Sequence, residues 1–162
     1  MSIDIKSIMK ANDLHVVISG DNRTAKVYDA KGKLVTSYEA RCYGQHPNWK
    51  VTNGDTPPGL YKLGVIYPTP GEAPYGNHCF DLIDLENQET GNNRGGISHH
   101  GGGSSLANPF APKQGWVVTH GCIRSQNEDI DREAARYYAL RKAHPGVEVY
   151  YTVHYDKGYL PA

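Results

Sequence analysis

Short runs of Val, Ile, Leu and Tyr, each broken within a few residues by Gly, Pro, Asn or Asp, restrict this chain to a fold built from sheet. Leu14 to Ser19, Ala25 to Asp29 and Lys33 to Cys42 read as strands, joined by turns at Gly20-Asp21-Asn22 and Ala30-Lys31-Gly32. Leu60 to Tyr67, His78 to Leu85 and Trp116 to Thr119 are further strand candidates, with Gln45 to Pro58 and Pro68 to Asn77 as loops. Val147, Val149, Tyr151 and Val153 alternate along a final strand, expected to pack beside the early ones. One helix is expected after Cys122. Ser125 and Glu128 have capping-box spacing, Asp129 and Asp131 charge the first turn, Ile130, Ala134, Tyr137 and Tyr138 share a face, and His144-Pro145-Gly146 stops it.

A length of 162 residues fits one folded unit, assigned to residues 14–155 between an N-terminal segment, 1–13, and a tail, 156–162. Lys plus Arg equal Asp plus Glu at 17 each, so no cationic excess exists to neutralise a phosphate backbone, and nucleic acid is not an expected partner. No segment is apolar for long enough to span a bilayer. Met1 to Gly20 carries scattered charges and reads as no export signal, which fits either a leader already removed or delivery by a route that needs none. Cys42, Cys79 and Cys122 are an odd set without a CxxC pair, which argues against a disulfide framework; Cys42 and Cys79 read as inert strand residues.

The chemistry concentrates in Thr119-His120-Gly121-Cys122-Ile123-Arg124, between a predicted strand and the helix. A cysteine near a helix N-terminus and a histidine can have its pKa lowered from about 8.5 toward roughly 3.5 to 7.5, which makes it nucleophilic at neutral pH. Gly121 permits the tight turn, and N–H groups around Gly121 and Cys122 are candidates for an oxyanion hole. The histidines His99 and His100 head the Gly-rich stretch that precedes this segment. Other readings stay open. His78, Cys79, His99, His100, His120 and Cys122 include zinc-ligand types, although their spacing matches no compact ligand pair, and no metal or cofactor is expected. Gly101-Gly102-Gly103-Ser104-Ser105 lacks the Gly-Lys-Ser/Thr ending of a phosphate loop, so Ser104 to Gln114 is read as a flexible lid. Trp49, Tyr75 and Trp116 either line a groove or are buried.

Together these residues resemble the signature of the L,D-transpeptidase catalytic (YkuD-type) family: a His, a spacer, then Ser or Thr, His-Gly-Cys, an apolar residue and Asn or Arg. His100-Gly101 supplies the first part and Thr119 to Arg124 the second, across a spacer slightly longer than the family's usual one. His100 is preferred to His99 because it precedes Gly; either remains open as the base. Asp55-Thr56-Pro57-Pro58-Gly59-Leu60-Tyr61 resembles the family's Thr-Pro-x-Gly-x-aromatic segment, and Pro145-Gly146-Val147 its ending. The resemblance implies a mainly β fold, an L,D-transpeptidase-like β-sandwich with one principal α-helix. It further implies Cys122 as nucleophile, His100 as base, the Gly101 carbonyl orienting that base, and His120, Arg124, Thr119 and His99 around the substrate. Arg124 equally fits an ion pair with Glu128 or Asp129.

The implied substrate is the stem peptide of peptidoglycan, cleaved before D-Ala through a thioester that passes to an amine or to water, in the cell envelope. Three functions follow. The first is a wall-building or exchange transpeptidase. The second is a secreted antibacterial effector, held harmless at home by an immunity protein. The third is a non-catalytic wall-binding module, against which the intact His100 and Cys122 speak. A papain-like wall hydrolase is disfavoured because it places Cys before His in the chain.

Overall fold

The computed structural model describes residues 3–86 and 96–156, in which strand is the main regular structure. After a single helical turn, α1 (Ile5–Ile8), come β1 (Leu14–Ser19), β2 (Thr24–Tyr28), β3 (Leu34–Arg41), β4 (Gly59–Glu72), β5 (Gly76–Asp84), β6 (Ser98–His100) and β7 (Ile123–Ser125). The principal helix, α2 (Asn127–Ala143), follows, and β8 (Val149–His154) ends the fold. The fold is mainly β with one principal helix, as expected. The strands close in the order β1-β2-β3-β7-β6-β5-β4-β8, a continuous ring rather than two open-edged sheets. Closure removes unpaired edges. The last strand lies parallel to β1 and antiparallel to β4, beside the early strands as its alternation predicted.

Side chains alternate across the ring wall, and the inward set forms the core: Val16, Ile18, Val27, Leu63, Phe80, Ile123, Val149 and Tyr151, with Ile130, Ala134 and Tyr137 of α2 packed against them. Tyr138, expected on that helix face, is instead half exposed, its hydroxyl donating to the Ile66 carbonyl at 3.3 Å.

Several local expectations are corrected. Pro68 to Asn77 is a hairpin joining two long strands, not a loop, because β4 and β5 stay paired out to Glu72 and Gly76. Trp116 to Thr119 is irregular, and the strand near Cys122 is β7, on its C-terminal side. Consequently α2 begins four residues after that strand's start, with Gln126 as N-cap and no side-chain capping bond. Ser125 is unavailable as a cap because its hydroxyl meets His99 inside the core at 2.8 Å. Of the tail assigned to 156–162, only Asp156 lies among the described residues; its N–H donates to Asp21 at 2.8 Å.

Candidate active site

Strand parity separates the two adjacent histidines. In β6, His99 lies opposite Phe80 of β5 and Ile123 of β7, while His100 lies opposite Cys79 and Arg124. The first trio faces the core and the second the outer wall, where Cys122, two residues before Arg124, shares the same side. His99 is fully buried; its Nδ1 meets Tyr151 Oη at 2.9 Å and its Nε2 meets Ser125 Oγ at 2.8 Å. Both nitrogens are therefore engaged, so the expected contact between His99 and substrate has no atom to make it. Burial, then the charge of His100, pulls the His99 imidazole down to about 3, so it stays neutral.

His100 and Cys122 line one cleft of about 410 Å³, walled by Tyr75, Ser104, Ser105, Val117, Val118 and His120. The His100 Nδ1 lies 2.8 Å from the Gly101 carbonyl oxygen, which can only accept, so Nδ1 carries the proton and Nε2 keeps its lone pair. Tyr75 packs edge-on against the ring at 5.1 Å. Burial lowers the His100 pKa to about 4; the Gly101 bond opposes that shift and the nearby Arg124 charge adds to it. At neutral pH this imidazole is an uncharged proton acceptor.

The Gly101 segment is held rigidly. Its N–H donates to the Tyr75 carbonyl at 3.0 Å, and a Cβ at Gly101 would sit 2.1 Å from Asn127 Oδ1, so only glycine fits. Asn127 opens α2 and is buried; it accepts from Gly102 N–H at 2.9 Å and donates to the carbonyls of Pro109 and Ala111, each at 2.8 Å. Gln114 adds bonds to the Gly102 and Ser125 carbonyls and accepts from Asn127 N–H. The stretch from Ser104 to Gln114, read from sequence as a flexible lid, is thus tied to the start of the helix. This also redirects the helix N-terminus. Its first N–H groups are taken by Gln114 Oε1 and the Pro112 carbonyl, and β7 separates them in sequence from the thiol.

The turn before Cys122 is organised by two threonines. Thr119 Oγ1 accepts from Gly121 N–H at 2.9 Å and lies 2.9 Å from the Cys122 carbonyl. The hydroxyl of Thr119 is engaged by the turn, and the Gly121 N–H, a candidate oxyanion donor by sequence, is already bonded to it in this conformation. Gly121 is needed instead for its φ of 116°, a region other residues avoid. Fully buried Thr56 donates to the Gly121 carbonyl at 2.7 Å. Its motif was visible in the sequence, but this contact across 65 residues was not. Thr56→Val is expected to orphan that carbonyl and cost about 1–3 kcal/mol. A thermal melt reads that loss, and slower alkylation of Cys122 reads the loosened turn.

Arg124, which lines the cleft, does not make the expected ion pair with Glu128 or Asp129. It is almost fully buried, and it donates to the carbonyls of Gly101 (3.2 Å), Val117 (2.5 Å), Val118 (3.3 Å) and Pro74 (3.1 Å). It clamps three segments around the cleft, and one clamped oxygen is the carbonyl that orients His100. His120 is exposed at the cleft mouth. Cys122 is half-buried, its Sγ 3.6 Å from the Gly96 carbonyl. Cys42 and Cys79 are buried thiols, which desolvation pushes up to about 12 and about 11. Of the zinc-type residues, His99 faces the core and His78 meets Asp131 of α2 at 2.9 Å, away from the cleft. Among the described residues, no group of three or more His, Cys, Asp or Glu is placed to hold a metal ion.

A comparison with curated proteins finds no match. Among solved structures, the chain is similar to the helical cell shape determining protein Pgp2 of Campylobacter jejuni, at 21% identity and TM-score 0.61 over 88% of this chain and 48% of that one. It is also similar to Bd1075 of Bdellovibrio bacteriovorus, at 19% identity and TM-score 0.59 over 88% and 47%. An L,D-transpeptidase of Mycobacterium smegmatis gives 20% identity and TM-score 0.50 over 88% and 58%. At such identities the likeness is one of fold, and the chain spans about half the length of the first two. The model of the L,D-transpeptidase catalytic domain, YkuD, matches residues 13–139, from just before β1 through the Cys122 segment to most of α2. With that match over most of its length, the chain belongs to the L,D-transpeptidase catalytic domain family.

Proposed function

We propose that this protein is a peptidoglycan L,D-transpeptidase that works through a thioester on Cys122. The observation that carries this reading is a half-buried thiol in one cleft with an imidazole whose Nδ1 proton is fixed on Gly101, leaving Nε2 as a bare base. A backbone carbonyl here does the orienting done elsewhere by a carboxylate. It fixes the tautomer without adding a negative charge that would raise the base's pKa.

The steps follow from those protonation states. His100 starts neutral, with Nε2 available to accept a proton. Nε2 takes the Cys122 proton as Sγ attacks the carbonyl before D-Ala. The C–N bond breaks, the imidazolium returns its proton to the departing amine of D-Ala, and a thioester remains. An acceptor amine then attacks that carbonyl, the C–S bond breaks, and the amine's proton passes through Nε2 to the thiolate. Water in place of the amine gives hydrolysis. Arg124 and Thr56 act at one remove, holding Gly101 and Gly121 in place.

The direct test is mass spectrometry of the protein after incubation with a carbapenem, alongside D-Ala release from tetrapeptide muropeptides. A single adduct and D-Ala release are expected, both lost in Cys122→Ala. Either activity persisting in that variant overturns the assignment.

A further inference from the structure

With four of the five Arg124 N–H donors held by carbonyls, a second guanidinium near the cleft is freer to recognise a carboxylate, and the register supplies one. Arg41 of β3 lies directly opposite Arg124 of β7, which lies opposite His100 of β6, so the three form one row across the sheet. Neighbouring strands are about 4.8 Å apart, which puts Arg41 roughly 10 Å along the wall from the base and on the same face. Its guanidinium lies 4.1 Å from the centroid of the Trp116 ring. Glu39 accepts from Nε at 2.7 Å, and the two terminal nitrogens have no hydrogen-bond partner among the described residues. A planar fork fixed at Nε and stacked on an indole presents its open edge as a carboxylate receptor.

Arg41 and Trp116 border a hollow of about 140 Å³. Val117, Val118 and Thr119 line both this hollow and the Cys122 cleft, so one ridge separates them. Beyond Arg41, the hollow adjoins a groove carrying Arg23 and Lys26, against Glu39 alone, so the local charge favours an anionic ligand. Resting on the reading of Cys122 as an acyl carrier, we propose that Arg41 and Trp116 form the acceptor subsite. It holds the carboxylate of an amine-bearing acceptor whose amine crosses the ridge to the thioester. Two sources share that chemistry: a free D-amino acid and the diamino acid of a second stem peptide.

Calorimetric titration of full-length Cys122→Ala protein tests this, with D-methionine and a stem tripeptide ending in a diamino acid as separate probes, each also as its C-terminal amide. The carboxylate form of at least one probe is expected to bind, about tenfold more weakly when Arg41→Gln is added, with the amide form indifferent to that change. Which probe responds identifies the acceptor. No binding of either probe, equal loss for acid and amide, or no loss at all overturns the subsite. In the Cys122-containing protein, Arg41→Gln should leave carbapenem acylation unchanged and shift product from transfer to hydrolysis. Unchanged partition with normal D-Ala release removes the subsite alone, whereas absence of both adduct and D-Ala release in the parent protein removes the enzymatic reading beneath it.

Discussion

His100→Ala is expected to lower the rate of Cys122 acylation by about 10²–10⁴-fold while the protein stays folded, because it deletes the proposed base together with its Tyr75 ring contact and its Gly101 hydrogen bond. His99→Ala should do the reverse. It empties a site stacked on Tyr38 and edge-on to Phe80 and Tyr151, and it strips partners from Tyr151 Oη and Ser125 Oγ. A cavity plus two orphaned polar groups costs about 3–5 kcal/mol, or roughly 10 °C of Tm for a domain of this size. Melting curves and stopped-flow acylation of both variants make the comparison. If His99→Ala melts like the parent and loses acylation, the assignment of base and core histidine is inverted.

The second large effect is loss of stability in mild acid. Burial holds His99 to about 3 and His100 to about 4 in the folded protein, against 6.5 for an unhindered imidazole. The unfolded chain therefore binds protons that the folded one refuses. The stability contributed by this difference is fully present above pH 6.5 and is lost as pH falls toward 4. Each group contributes about 1.4 kcal/mol per pH unit in that window, so the pair contributes about 2.7 kcal/mol per unit. By pH 4.5 the loss is about 5 kcal/mol, comparable with the whole stability of many domains. Urea midpoints measured between pH 7.5 and 4.5 should fall steeply, and a flat series would show that these imidazoles are not held neutral. The same lowering should place the acid limb of Cys122 acylation well below pH 6.5.

How much was legible beforehand depended on distance along the chain. The strands at Leu14–Ser19 and Val149–His154 were readable because alternation of apolar residues is a local signal. Three-residue strands carry no period, so β6 and β7 were invisible although they hold His100 and Arg124. The capping-box pattern at Ser125 was locally sound, yet the core's demand for a partner to His99 overrode it. Arg124 looked like a carboxylate receptor because its motif position was known and its neighbours were not. Arg41 had no motif and became noticeable only through its pairing with Arg124 and its stacking on Trp116.

The sequence by itself determined the family, the sheet-built class and the Cys122 motif with its two candidate histidines, because all of these reside in residue types and short spacings. Only the tertiary structure decided which adjacent histidine faces the cleft, what the motif arginine holds, and which N–H groups are already engaged. Those depend on strand parity and on hydrogen bonds between residues dozens of positions apart, and no local pattern of side chains encodes them.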